Sequence, residues 1–219
     1  MKRKLLNKNN KKLSVGSVAF FLMAVSLVGQ VVGFLRVKII NANFDEFGPQ
    51  STDAFFSAFK IPDFFFYTIS AGALGVAFIP VLADLLEKSD KKKAWELASS
   101  LLSLLSIIMG VVGVIILIFA DQLVGLVNPG ATPEVRHNSA TIMRIIAFNP
   151  LLFTLSGIIT SVQQTMGRFL FYALAPIFYN TCILISAIVF SQENGNNGGP
   201  FNLGITGLGV GALVGALLQ

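Results

Sequence analysis

The chain of 219 residues is 54% hydrophobic and 12% charged, with a formal charge of +5 and a mean hydropathy of +0.74. Soluble domains carry about 25% charged residues, so that class is excluded and the chain reads as an all-α polytopic membrane protein. The excess of Lys and Arg lies in short flanking runs rather than on one recognition surface, which marks membrane topology and excludes a nucleic-acid partner.

A basic segment, MKRKLLNKNNKK at 1–12, precedes the first apolar run. That run, at 13–40, is too long for a signal peptide and is followed by no small-residue cleavage site, so it is predicted to be an uncleaved span. Further spans are predicted at about 54–82, 94–120, 141–162, 169–190 and 202–218 of a transmembrane region covering 13–219. Each is long enough for a hydrocarbon core of about 30 Å.

The connections alternate in charge. Six bases in the first 12 residues, Lys88, Lys91, Lys92, Lys93 and Arg168 fall on the amino-terminal side, against Arg136 alone opposite. This predicts a multi-pass protein of the cytoplasmic membrane with a cytoplasmic amino terminus. The outer connection at 192–200 is rich in Gly and Asn, as a flexible loop would be. The last segment ends at Gln219 without a basic flank, which reads as the front part of a longer chain.

Cys182 and His137 are each the single residue of their type. An intramolecular disulfide is thereby excluded, and a Cys/His metal centre has no ligand set. No Walker, nucleophile-elbow or HExxH pattern occurs. An intramembrane enzyme would have to rest on Asp53 and Asp63, without a His partner. A transporter accounts better for polar, Pro-broken spans. No cofactor is implied, and coupling to an ion gradient or to the membrane potential is not readable.

Within the spans, polar residues follow helical spacing. Ser26, Gly29, Gly33 and Arg36 share one face of the first, with Gln30 beside it. Gly29 and Gly33 form a small-xxx-small pair suited to helix packing. In the second span Asp53, Ser57, Lys60, Asp63, Tyr67 and Ser70 form a stripe interrupted by Pro62. A charge at bilayer depth costs about 2.5–3.5 kcal/mol and faces protein or water. Two readings stand: Lys60 and Asp63 form a structural pair, or the stripe walls a water-filled cationic cavity. Arg144, ahead of Asn149 and Pro150, either lines that cavity or anchors its helix; Pro62 and Pro150 are the candidate hinges.

At these residues the sequence resembles the MurJ (MviN) lipid II flippases of the MOP exporter superfamily. The resemblance is carried by G-x-x-R at Gly33 and Arg36, TDAFFSAFKIP at 52–62, and AGA at 71–73 with AFIPVLAD at 77–84. Pro150, Gly157, Arg168, Phe169, Ala175, Pro176 and Asn180 add to it.

It implies a MATE-like architecture in which these six helices form one lobe facing a second lobe, missing here. The implied activity is alternating-access movement of an undecaprenyl-pyrophosphate-linked precursor across the lipid bilayer. Arg36 matches a family cavity arginine, and Asp53 and Lys60 match family positions. The chain departs from the pattern at Gly29 and Gln30 (Ser-Arg in the family), Val37 (an acid), Asp63 (Asn), Phe66 or Tyr67 (a base nearby) and Ala71 (Glu). The alternatives are another MOP-type exporter, of a different polyprenyl-linked oligosaccharide or a drug-like cation, and a transport-dead scaffold in a wall-synthesis complex.

Overall fold

The computed structural model describes residues 15–46, 48, 50–72, 77–168, 170–191, 201 and 203–219. The basic segment at 1–12 and the connection at 192–200 lie outside the described residues. The helices are α1 (Val15–Asn43), α2 (Thr52–Phe65), α3 (Ile79–Glu87), α4 (Lys91–Val127), α5 (Pro133–Ile145), α6 (Asn149–Thr165), α7 (Leu170–Val189) and α8 (Thr206–Leu218). A π-helical segment, Phe66–Ala71, continues α2. Among the described residues the only strand-like pairing is an isolated bridge between Asp45 and Ser51.

Among the described residues, three helical stretches are long and apolar enough to cross a membrane, 19–43, 91–127 and 133–165, and two shorter apolar helices follow, 173–189 and 206–218. The second expected span is not one uniform helix. Pro62 sits buried inside α2, removing one backbone donor, and four residues further on the chain widens into the π-helical turn.

The fourth expected span starts earlier, at Pro133, and is broken at 146–148 into α5 and α6. Pro150 lies in the first turn of α6, where a missing N–H leaves no bond unmade. It therefore opens a helix rather than kinking one. α4 runs 37 residues, with a kink where the backbone of Phe119 leaves helical geometry (φ -103°, ψ 18°), and extends beyond the apolar run at both ends. Asp90 caps its start by accepting from the Lys93 N–H at 3.2 Å.

α1 packs along α7, α7 along α8, and α8 along α5; α5 and α6 both pack on α4. One buried cluster joins Ile40, Phe55, Ile116, Met143, Ile183 and Leu208. A second, around Phe78, Leu82, Leu105 and Ile158, closes the corner between α3, α4 and α6.

In a bilayer such contacts rest on close packing, since lipid is as apolar as leucine. The α7–α8 contact shows how. Gly207 leaves room for the Phe190 ring just past α7, Gly211 for the Ser186 side chain and the Cys182 carbonyl, and Gly215 for the Tyr179 side chain and carbonyl, so α8 places no side chain of its own at these contacts. Gly29 and Gly33 face Ile177 and Asn180 of α7, where an added methyl would make ordinary contacts at 3.5 and 3.9 Å. The small pair of α1 thus marks a looser contact than the glycines of α8.

Candidate functional site

A cavity of about 560 Å³ opens between α1, α2, α6 and α7. Its polar wall holds Arg36, Asp63, Tyr67, Thr160, Tyr179 and Asn180, and its apolar wall is built from Phe55, Phe56, Phe59, Phe66 and Phe153. Phe153 packs edge-on against both Phe66 and Tyr179, with ring centroids 5.5 and 5.3 Å apart. A groove of about 600 Å³ between α1 and α7 adjoins it and shares Arg36, Pro176 and Asn180; Gly29, Gln30, Gly33 and Val37 line its α1 side.

Arg36 stands where the two spaces meet. The face predicted from the spacing of Gly29, Gly33 and Arg36 turns toward α7, and its guanidinium donates from Nη1 to Asn180 Oδ1 at 2.8 Å. Its Nε is buried without a partner among the described residues. A half-buried guanidinium with donors left over is suited to an oxyanion, which it can grip through parallel N–H bonds.

The polar stripe of α2 divides between two neighbours. Asp63 and Tyr67 face the cavity. Asp53, Ser57 and Lys60 turn instead to the end of α4. Asn128 donates from Nδ2 to Asp53 Oδ2 at 2.7 Å and to Ser57 Oγ at 3.1 Å, and Lys60 Nζ donates to the Val127 carbonyl at 3.5 Å. That carbonyl is among the last of α4, which have no partner within the helix, and a cation there meets the negative end of the helix dipole.

Lys60 is exposed, is absent from the cavity wall and forms no ion pair with Asp63 among the described residues. Neither sequence reading of Lys60 describes its position. Among the described residues that line the cavity, Arg36 is the base and Asp63 the acid.

Arg144 is also elsewhere: it pairs with Asp121 of α4, which corresponds to an anchor between α4 and α5. Ser70, at the end of the stripe, is buried against Thr154 of α6. Tyr179 escaped the sequence reading; a Tyr three residues after Pro176 and beside Asn180, inside an apolar run, was the available signal.

The family model for "Lipid II flippase MurJ" matches residues 47–219. The chain belongs to the MurJ family. It is 30% identical over 173 residues to a probable lipid II flippase MurJ of Buchnera aphidicola subsp. Acyrthosiphon pisum (strain APS), covering 77% of this chain and 33% of that protein. A probable lipid II flippase MurJ of Synechocystis sp. (strain ATCC 27184 / PCC 6803 / Kazusa) is 29% identical over 209 residues, 94% of this chain and 38% of the relative.

The chain thus spans about a third of the length of the curated relatives it matches. Its fold resembles an outward-facing multidrug resistance MATE family transporter of the MOP superfamily, with a TM-score of 0.69 and 19% identity over 90% of this chain and 41% of that one. The family model and the relatives thus show the family, and the structural likeness shows the fold.

Proposed function

We propose that this chain forms one lobe of a flippase that moves lipid II, an undecaprenyl-pyrophosphate-linked disaccharide pentapeptide, from the cytoplasmic to the outer leaflet by alternating access. The lobe faces a second lobe, with the amino terminus in the cytoplasm. Arg36 receives the pyrophosphate, and the phenylalanine wall accompanies the apolar part of the ligand. The observation that carries this reading is the half-buried Arg36 guanidinium, held by Asn180 at the meeting of cavity and groove.

The test is lipid II binding and flipping by the full-length protein in vesicles, comparing wild type with Arg36→Ala and Arg36→Lys. A lost charge-assisted contact is worth about 1.5–3 kcal/mol, about ten- to a hundredfold in affinity. Arg36→Lys should recover part of that loss, because an ammonium offers a point charge without the planar fork. Normal flipping by Arg36→Ala at normal expression would remove the site.

A further inference from the structure

The corner where α3, α4 and α6 meet holds an apolar slot of about 200 Å³, separate from the cavity above. Leu82, Leu86, Ala98 and Val162 line it, and Lys91 and Trp95 belong to its wall. Its floor is the second buried cluster, which shares Leu82 and Ala98. Trp95 is 66% exposed.

The lysines around the slot are not equivalent. Lys88 pairs with Asp84, Lys92 with Glu96 and Lys93 with Asp90. Lys91 alone of the four belongs to no ion pair among the described residues, and Glu87, one turn earlier, forms none with it. Arg168, two residues beyond the slot-lining Met166, is likewise exposed and outside every such pair. The corner therefore combines an apolar slot, an exposed indole and, in the slot wall, a lysine outside every ion pair among the described residues.

We propose that this corner binds one anionic phospholipid, with an acyl chain in the slot and its phosphodiester beside Lys91. Indole rings favour the level of the headgroups, and basic pockets between membrane helices favour anionic headgroups. The lysine stem covers apolar surface while its ammonium reaches outward. The slot by itself accepts any acyl chain; Lys91 gives the preference for negative charge, about fivefold for one near-surface cation. The inference is independent of which substrate the cavity carries.

Trp95 is the single tryptophan of the sequence, so its fluorescence reports on this corner alone once any tryptophan outside residues 1–219 is changed to phenylalanine. The full-length protein is reconstituted into phosphatidylcholine vesicles containing a small fraction of acyl-brominated phosphatidylglycerol, or the same fraction of acyl-brominated phosphatidylcholine. Brominated phosphatidylglycerol should quench Trp95 with about fivefold greater efficiency. In Lys91→Gln, a surface change to another good helix former, that preference should fall to near onefold. In Lys92→Gln, which removes a lysine already paired with Glu96, it should persist. Equal quenching by the two lipids in wild type, or an undiminished preference in Lys91→Gln, overturns the proposal; equal loss in both variants reduces it to general surface charge and overturns it too.

Discussion

Arg36 of α1 and Asn180 of α7 are joined by a 2.8 Å hydrogen bond from Nη1 to Oδ1, and Asn180 spends its own amide hydrogen on the Pro176 carbonyl, also at 2.8 Å. The second bond fixes which end of the amide meets the guanidinium. Asn180 thereby orients Arg36 without neutralising it. Asn180→Asp should replace a neutral acceptor by a counter-charge and weaken lipid II binding about tenfold or more. Binding titration beside thermal denaturation checks this; wild-type affinity in Asn180→Asp would show that the bond serves packing only.

Lys60 leads to the opposite expectation. Its single bond to the Val127 carbonyl is long and exposed, so Lys60→Met should lower stability by less than about 1 kcal/mol and leave lipid II affinity within about twofold. Asn128→Ala removes two bonds to α2 and should destabilise more, by roughly 2 kcal/mol. A tenfold loss of affinity in Lys60→Met with an unchanged melting temperature would return Lys60 to the substrate site.

Glycine substitutions separate the two helix contacts of α7. A side chain at Gly211 would collide with Ser186 and lie 3.0 Å from the Cys182 carbonyl, so Gly211→Val should destabilise by about 1–3 kcal/mol through overpacking. Gly29→Ala and Gly33→Ala, with ordinary contact distances to α7, should stay within about 0.5 kcal/mol of wild type. Chemical denaturation in detergent micelles reads all three, and equal losses would contradict the packing described.

Arg144 and Asp121 should behave as a structural pair. Arg144→Ala is expected to leave lipid II affinity unchanged, and exchanging the two charges should restore most of any stability lost. The pair is partly exposed, so the coupling measured by a double-mutant cycle should be about 1 kcal/mol or less.

Topology is tested by single cysteines in a Cys182→Ser background. Cysteines at Ser89 and Glu46 should react with a membrane-impermeant thiol reagent from the cytoplasmic and outer sides respectively. Labelling of Ser89→Cys from outside intact cells would invert the orientation.

Composition alone determined the class of protein, because hydrocarbon admits long apolar helices and little else. Helical periodicity by itself located the face of Arg36: residues three and four apart share a side whatever packs there. Periodicity could not say what lies opposite a face. Lys60 and Asp63 stand near each other along α2, yet one reaches the end of α4 and the other the cavity, because α2 is wedged between two different neighbours.

The break between α5 and α6 was equally hidden, since Pro150 suits both a hinge and a first turn. The paired cations of the 88–93 run look alike in the sequence; only the arrangement of Asp84, Asp90 and Glu96 leaves Lys91 alone. These outcomes depend on distances between helices, which are set by how all the side chains pack at once.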